Sequence, residues 1–160
     1  MIGTVSSAPK AAFASANGCR HPIIYTQESF VERVKEITQG HGVDAVFDAI
    51  GRKTFGDSME CIRPGGHVIS FGQADEPLGE WDIGKFAAKS LTLSRPNFGH
   101  YTDSPEKLSA ICSNLFHALE NNIVNAHIGH EFSLSDAVAA HEALQNRQTI
   151  GSTILIPEAL

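Results

Sequence analysis

Apolar, strand-like segments alternate with helical patterns along the first 71 residues, and this alternation limits the folds open to the chain. The segments typical of strands are residues 2–5, 22–25, 43–48 and 67–71, and those typical of helices are residues 7–17, 27–39 and 53–62. Short connections between such units predict parallel strands joined by right-handed helical crossovers. A short helix ending at Phe86 and a strand at residues 90–94 continue the pattern. We therefore expect an α/β fold built on a partial doubly wound parallel sheet.

The chain opens directly on a strand. Met1-Ile2-Gly3-Thr4-Val5 is apolar and β-branched, with no turn or capping residue ahead of it. A dinucleotide-binding sheet of this class carries a glycine-rich phosphate loop between its first strand and first helix. Neither Gly40-His41-Gly42 nor Gly65-Gly66 follows a strand and opens a helix, so neither suits that role. We expect a Rossmann-like cofactor domain whose first strand, with its loop, precedes Met1 in a longer protein.

The pattern changes after Arg95-Pro96. A helix at residues 104–120, a strand at 128–132, a helix at 135–146 and a strand at Ser152–Ile156 follow. The long helix repeats Leu108, Ile111, Leu115 and Leu119 at helical spacing, which predicts a face packed in a core. We expect two parts: a truncated cofactor-binding domain over residues 1–97 and an α+β segment over residues 98–160.

Composition and charge exclude several classes of protein. With 42% apolar and 19% charged residues the chain is globular in type rather than disordered. The formal charge of −6 argues against a nucleic-acid partner, because phosphate binding needs a dense basic face. No apolar run approaches the ~20 residues that span a bilayer, so we expect a cytoplasmic protein with no membrane partner. Cys19, Cys61 and Cys112 are odd in number and widely spaced, which favours free, mostly buried thiols.

The end of the first strand carries hydroxyl groups and a cation where an NAD site would carry an acid. Ser6, Ser7 and Lys10 occupy this stretch. An Asp or Glu here would accept a hydrogen bond from the ribose 2′-hydroxyl of NAD, whereas hydroxyls, helix N–H groups and an ammonium suit a 2′-phosphate. The alternative is that Ser7 only caps the helix and Lys10 is solvated. Spacing alone does not decide between the two.

Three further strand ends offer candidate contacts. Tyr25 ends the second strand, Asp48-Ala49-Ile50-Gly51 ends the third, and Phe71-Gly72-Gln73 ends the fourth. Ligands of doubly wound sheets bind beyond the carboxyl ends of the strands, and small residues let a ligand approach the backbone. Each position also has a packing interpretation, Tyr25 above all. Four strand ends that converge on one crevice favour a nucleotide site.

Metal and nucleophile chemistry have less support. His127 and His130 have a spacing that metal ligands tolerate, but no third ligand lies close in sequence. No Gly-x-Ser-x-Gly elbow occurs. We therefore expect no zinc and assign no catalytic residue.

Several motifs occur together and in a fixed order. They are Val5-Ser6-Ser7-Ala8-Pro9-Lys10, Ile24-Tyr25, Gly42-Val43-Asp44-Ala45-Val46-Phe47-Asp48-Ala49-Ile50-Gly51, Gly65-Gly66-His67-Val68-Ile69-Ser70-Phe71-Gly72 and Leu93-Ser94-Arg95-Pro96. In this order the chain resembles the NADPH:quinone oxidoreductases, the zinc-free branch of the medium-chain dehydrogenase/reductase superfamily. The resemblance continues through Ala140-His141, Asn146-Arg147 and the closing Gly151-Ser152-Thr153-Ile154-Leu155-Ile156-Pro157.

The resemblance implies NADPH as cofactor and a role for each matching residue. Ser6, Ser7 and Lys10 would hold the 2′-phosphate, with Lys10 central. Tyr25 would contact the phosphate and adenosine region, and Ala49 would lie near the adenosine half.

At the other end of the cofactor, Phe71-Gly72-Gln73 would lie near the nicotinamide carboxamide. Pro96-Asn97-Phe98 would form the crossing to the catalytic domain, and Arg147 would reach the adenosine phosphate. Residues 98–160 would belong with that catalytic domain, most of which the sequence does not contain.

The activity that the resemblance implies is hydride transfer from NADPH to a quinone or a conjugated enone, both small-molecule substrates. It also implies a homodimer in which edge strands such as Leu91-Thr92-Leu93 join. One departure is Asp75-Glu76-Pro77, which adds two acids to a stretch that is normally neutral; we expect these acids to face solvent. The alternatives are a non-enzymatic nucleotide-binding or crystallin-like structural module on the same fold, and a methyltransferase-type site, which would call for an acid where Ser6 and Ser7 stand.

Overall fold

The computed structural model describes residues 1–157, which form two compact units. The first unit is Met1–Phe98, and the second begins at Gly99. No helix in the described part of the chain is long and apolar enough to cross a membrane.

The first unit opens with a parallel pair of strands joined by a helix. Strand β1 (Ile2–Val5) leads into helix α1 (Ala8–Ala16) and then into strand β2 (His21–Ile24). Ile2 lies opposite His21 and Val5 opposite Ile24. A proline in the first turn of α1 suits a helix start, and Gly18, at φ 89°, takes the left-handed conformation that ends the helix.

Helix α2 (Phe30–Ile37) is shorter than the predicted helix over residues 27–39. The backbone N–H groups of Gln27 and Glu28 both donate to the Ile24 carbonyl, which makes a turn before the helix. The Ser29 hydroxyl then accepts from the backbone N–H of Glu32 at 3.4 Å and caps the first turn. The predicted helix start at residue 27 was wrong, because the residue that caps the helix is Ser29, two residues further along the chain.

The rest of the first unit forms a three-stranded parallel sheet. Strand β3 (Val43–Asp48), helix α3 (Arg52–Cys61) and strand β4 (Ile62–Ser70) follow one another directly. Helix α4 (Gly84–Ala87) and strand β5 (Thr92–Ser94) complete it, in the spatial order β3-β4-β5.

A bulge interrupts the pairing of β3 with β4. Val43 pairs with Ile62 and Ala45 with His67, so β4 carries extra residues between the two pairs. Pro64, Gly65 and Gly66 therefore lie inside β4, and the strand begins earlier than the predicted residue 67. The Lys89 ammonium donates to the carbonyls of Met59, Glu60 and Ile62, all at 3.0 Å. These bonds provide donors for backbone carbonyls at the carboxyl end of α3, which lack partners within the helix.

Two buried clusters hold the first unit together. One contains Phe55, Met59, Ile62, Val68 and Phe86. The Trp81 ring packs edge-on against Phe55 with the ring centroids 5.0 Å apart.

The second cluster, which we call the floor, is Ile23, Val34 and Cys61. Ile2 from β1 packs on the floor, and so do Val43 and Val46 from β3. Burial raises the pKa of the Cys61 thiol to about 11, so the floor is uncharged at neutral pH. Strands β1 and β3 thus rest on one apolar layer although they belong to separate sheets.

This arrangement confirms the α/β class and the partial doubly wound sheet, with one difference. The described strands of the first unit form a two-stranded and a three-stranded sheet, not one continuous sheet. As a result β3 is exposed at Asp44, Ala45 and Phe47, although its largely apolar sequence is typical of a parallel strand covered on both faces.

The second unit contains helix α5 (Pro105–Glu120), strand β6 (Ile128–Ser133), helix α6 (Ala137–Gln145) and strand β7 (Ser152–Ile156). Strands β6 and β7 pair in parallel, with α6 as their crossover. The Ser104 hydroxyl caps α5 by accepting from the backbone N–H of Lys107 at 3.3 Å. A short 3₁₀ turn precedes α6, so that helix begins later than residue 135.

Helix α5 has the predicted apolar stripe, but this stripe is not packed in a core within the described residues. No residue of this helix is buried in the described structure, and Leu108, Ile111 and Leu115 are each more than one-third exposed. The helical spacing of these residues produces an apolar stripe, but the second unit provides no surface that covers it.

A buried carboxylate shapes the turn between β3 and α3. The Oδ1 atom of Asp48 accepts from the backbone N–H groups of Ile50 at 2.9 Å and Gly51 at 3.0 Å. Its Oδ2 atom accepts from the hydroxyls of Ser58 at 2.7 Å and Thr54 at 2.9 Å. Asp48 is only 4% exposed, so these groups take the place of water around the charge. The turn that follows β3 is therefore fixed by one side chain.

We predict that Asp48→Ala lowers the free energy of unfolding of the first unit by about 3 kcal/mol, because two backbone N–H groups lose a charged acceptor. Urea unfolding followed by the fluorescence of Trp81, the single tryptophan, measures the effect. Asp44→Ala is the matched control, since the Asp44 carboxylate is exposed and pairs with Arg63 at 2.6 Å. Equal losses in the two variants would contradict the assigned role of Asp48.

Candidate functional site

The carboxyl ends of β1 and β2 lie side by side. The backbone N–H of Tyr25 donates to the Val5 carbonyl at 3.1 Å, which continues the strand pairing by one residue. The Thr26 hydroxyl donates to the Ser6 carbonyl at 3.0 Å. These bonds bring Ser6 and Tyr25, two of the residues predicted from sequence, to the same edge, with the Tyr25 side chain 40% exposed.

The start of α1 provides groups that suit an anion. Ser7 occupies the N-cap position in an extended conformation, but its side chain makes no capping hydrogen bond. The alternative interpretation, in which the Ser7 hydroxyl caps the helix, is therefore not met, although Ser7 does occupy the N-cap position. The first turn of α1 contains no acidic residue and includes Lys10. Hydroxyl, helix N–H groups and ammonium together form a positive, donor-rich corner.

The ends of β3 and β4 approach each other very closely. The backbone N–H of Phe71 donates to the Asp48 carbonyl at 2.9 Å. A Cβ atom on Gly72 would lie 2.5 Å from the Ala49 carbonyl oxygen and 2.9 Å from its Cα atom, so only glycine fits there. Ala49 and Gly72 thus lie directly against one another.

Two exposed aromatic rings stand near this contact. Phe47 is 71% exposed and Phe71 is 53% exposed. Their rings meet edge to face with centroids 6.4 Å apart and an interplanar angle of 69°. Exposed aromatic faces beside a backbone that a ligand can approach provide a surface for a flat ring.

Arg95 joins the end of β5 to the end of β4. Its Nη1 atom donates to the carbonyls of Ser70 at 2.7 Å and Gly72 at 3.3 Å. Sequence reasoning used Arg95 only as a family marker and missed this positioning role. The sequence contained a signal for this role, because a long cationic side chain directly after a predicted strand can reach the terminal carbonyls of the neighbouring strand.

The loop that follows Gly72 folds back over the turn after β3. The N–H groups of Ala74 and Asp75 donate to the carbonyls of Ala49 and Ile50, both at 3.0 Å. The side chain of Asp75 is exposed, and Glu76 is exposed and lies 3.4 Å from Arg52. This confirms the expectation that the two acids face solvent.

The remaining predicted residues are placed separately. Pro96 is half-buried, whereas Asn97 and Phe98 are exposed at the end of the first unit. Arg147 lies in the second unit, just after α6, at φ 58°. Their contacts with a cofactor, like those of Gln73, stay predictions.

His130 of the second unit has a structural role. His130 accepts from the backbone N–H of Ile150 at 3.2 Å through Nε2, which ties β6 to the segment before β7. Within residues 1–157, no three His, Cys, Asp or Glu side chains group in a way that could hold a metal ion. The three cysteines are free, as expected, with Cys19 and Cys61 buried and Cys112 half-buried.

Comparison with known proteins identifies relatives of this arrangement. A quinone oxidoreductase of Pseudomonas aeruginosa is 39% identical over 158 residues, which cover 98% of this chain and 49% of that protein. A 2-haloacrylate reductase of Burkholderia sp is 38% identical and covers 99% and 48%. The crystal structure of Escherichia coli quinone oxidoreductase complexed with NADPH superposes with a TM-score of 0.91 at 36% identity, covering 98% of this chain and 49% of that one.

The chain therefore spans about half the length of the curated relatives it matches. A family model described as zinc-binding dehydrogenase matches residues 17–155. That description names a metal for which the described residues provide no ligand set. By this match and by its similarity to quinone oxidoreductases, the chain belongs to the zinc-binding dehydrogenase family.

Proposed function

We propose that the chain is the cofactor-binding part of an oxidoreductase that transfers hydride from NADPH to a quinone or a conjugated enone. The observation that carries this proposal is the chemistry at the carboxyl ends of the strands. Hydrogen-bond donors and a positive charge follow β1, and the close contact of Ala49 with Gly72 follows β3 and β4. The names of the relatives support it, since they are a quinone oxidoreductase and a 2-haloacrylate reductase.

The residues after β1 fit a 2′-phosphate better than a free ribose hydroxyl. The Ser7 hydroxyl makes no bond to its own helix, so it is available to a ligand. Lys10 adds a positive charge in the same turn, and that turn contains no carboxylate that would repel a phosphate. Ser6, Ser7 and Lys10 would hold the 2′-phosphate, with Tyr25 beside the phosphate and adenosine. This set distinguishes NADPH from NADH.

The residues after β3 and β4 would hold the rest of the cofactor. Ala49 would lie near the adenosine half, and Phe71-Gly72-Gln73 near the nicotinamide carboxamide. Arg95 keeps this region in place through the Ser70 and Gly72 carbonyls. Pro96-Asn97-Phe98 and Arg147 would complete the site in the full-length protein.

NADPH, when bound, supplies the hydride. The chain's own residues bind and orient it, and the aromatic surface of Phe47 and Phe71 would exclude water from one side of the reacting ring. Direct hydride transfer needs orientation and a dry pocket more than an acid–base residue, which is consistent with assigning no catalytic residue here.

The first prediction that the proposed function makes concerns cofactor choice. In a full-length protein that carries this sequence, Lys10→Ala should raise the Kd for NADPH about tenfold to a hundredfold, on the order of 1.5–3 kcal/mol for a charge-assisted contact. Titration of cofactor fluorescence measures the change, and NADH binding should stay nearly constant. Lys53→Ala, at an exposed position on α3, is the control. An equal loss for both cofactors would rule out the phosphate assignment.

The second prediction concerns turnover by the 160-residue chain. We expect no measurable NADPH-dependent quinone reduction, because hydride transfer needs nicotinamide and quinone held ~3–3.5 Å apart in a closed cleft. Phe47 and Phe71 are instead largely open to solvent. The assay follows NADPH absorbance with a simple benzoquinone, with a full-length relative as positive control. Robust turnover would show that the active site lies within this chain.

The third prediction concerns assembly. We propose a homodimer joined at the outer edge of β5, where Leu93 is 43% exposed. Light scattering at tens of micromolar should give twice the mass of one chain. Leu93→Lys should shift the equilibrium to monomer, since like charges would meet across the joined edges. A monomeric state of the protein without the substitution would contradict this proposal.

We also propose that the protein is cytoplasmic.

A further inference from the structure

The chain that follows β4 is fastened to the start of helix α3. We call residues 73–79 the β4 loop; it begins directly after Gly72 and contains Gln73, which we have proposed to lie near the nicotinamide carboxamide. We propose that Arg52, the first residue of α3, is a positioning residue that sets the place of the β4 loop and thereby of the nicotinamide end of NADPH. This role rests on the proposed function and adds to it a residue outside the predicted cofactor set.

Backbone bonds hold the first half of the β4 loop along the turn between β3 and α3. The N–H groups of Ala74 and Asp75 both donate to carbonyls of that turn at 3.0 Å. One position further on, the direction reverses, and the backbone N–H of Arg52 donates to the Glu76 carbonyl at 3.2 Å. The loop and the turn therefore exchange hydrogen bonds over three successive loop residues, and the last of these bonds lies at Arg52.

The start of α3 fits the loop without a side chain between them. Gly51, the N-cap residue, has φ 102°, and a Cβ atom on it would lie 2.5 Å from the Glu76 carbonyl oxygen. No side chain caps this helix. The Glu76 carbonyl instead accepts one of the N–H groups that have no partner within the helix. The helix start is thus occupied by the β4 loop.

The Arg52 side chain holds the second half of the β4 loop. Its Nε atom donates to the Pro77 carbonyl at 3.2 Å, and its Nη1 atom lies 3.4 Å from the Glu76 carboxylate. A Cβ atom on Gly79, at φ 68°, would lie 2.9 Å from Nη2, so the loop closes around the guanidinium. The ion pair is more than half exposed on both sides and contributes little. The bond to Pro77 and the close fit at Gly79 therefore place this part of the loop.

The position of this cation on its helix also indicates a role. A helix N-terminus has a partial positive charge, so a cation in the first turn is unfavourable. The first turn of α3 contains no acidic residue, and it contains Arg52 and Lys53. Because the Arg52 guanidinium turns back to the β4 loop, its contacts there offset the unfavourable position. Lys53 is exposed on the same turn and provides a matched residue for comparison.

Gln73 lies between two points at which the chain is held. On one side, the Gly72 carbonyl accepts from Arg95 at 3.3 Å. On the other side, the β4 loop is bonded to the turn and to Arg52 from Ala74 onwards. Removal of the Arg52 side chain releases the second point only. Hydride transfer depends steeply on the position of the nicotinamide, so we expect a loss in kcat as well as in KM. The adenosine end should not be affected.

The experiment compares Arg52→Ala with the unsubstituted sequence in a full-length protein that carries this chain. Without cofactor, hydrogen exchange followed by mass spectrometry should be about threefold faster or more in residues 73–77 and unchanged in residues 67–71. With NADPH and a simple benzoquinone, kcat should fall about threefold to tenfold and the KM for NADPH should rise about threefold. The Kd of adenosine 2′,5′-bisphosphate, which lacks the nicotinamide end, should stay constant.

Two further variants separate position from charge. Lys53→Ala removes the same charge from the same helix turn and should leave loop exchange, kcat and KM unchanged. Arg52→Lys keeps the charge but loses the planar fork, so it cannot reproduce both side-chain contacts, and its kcat should lie between those of Arg52→Ala and the unsubstituted protein. If Arg52→Ala also exchanges faster in residues 67–71, its fold is disturbed, and Arg52→Lys decides by the same criteria.

Three results would overturn the positioning role. One is an unchanged kcat and KM in Arg52→Ala, whatever the loop exchange shows. Another is an equal weakening of adenosine 2′,5′-bisphosphate, which would mean that the whole site is loosened. The third is an equal effect of Lys53→Ala, which would mean that charge alone matters. A full-length protein that reduces no quinone with NADPH before any substitution would contradict the proposed function itself and, with it, this role of Arg52.

Discussion

The first unit depends on one apolar layer, the floor of Ile23, Val34 and Cys61. Strand β1 and strand β3 share no backbone pairing among the described residues, so their relative position rests on the burial of Ile2, Val43 and Val46 against this layer. Burying an aliphatic side chain of this size contributes about 1.5–3 kcal/mol. The floor is made by residues of β2, α2 and α3, and strands from both sheets pack on it, so it keeps the two sheets in one compact unit where hydrogen bonding alone would not.

The candidate site follows from this support and from the direction of the strands. Parallel pairing brings strand ends to one edge within each sheet, so residues far apart in sequence become neighbours. The detailed shape at that edge is set largely by backbone contacts. Gly72 lies against Ala49 because no Cβ intervenes, and Asp48 and Arg95 fix the adjoining turns by binding backbone groups.

The two units differ in how well they bury their apolar residues. The first has two buried clusters, whereas α5 of the second has an apolar stripe that stays open to solvent. The chain spans about half the length of the curated relatives it matches.

The sequence by itself determined the element order, the parallel α/β class, the strands Ile2–Val5 and Val43–Asp48, and the family, because hydrophobic periodicity and turn residues are local signals. It also identified the strand ends where Ser6, Tyr25, Ala49 and Gly72 meet their neighbours. Only the tertiary structure decided that the Ser7 hydroxyl does not cap its helix, that Arg95 binds the terminal carbonyls of β4, and that α5 is uncovered. It alone showed that β1 and β3 share a floor without touching as strands. The physical reason is that periodicity specifies which face of an element is apolar, whereas burial depends on which surface is present to cover that face.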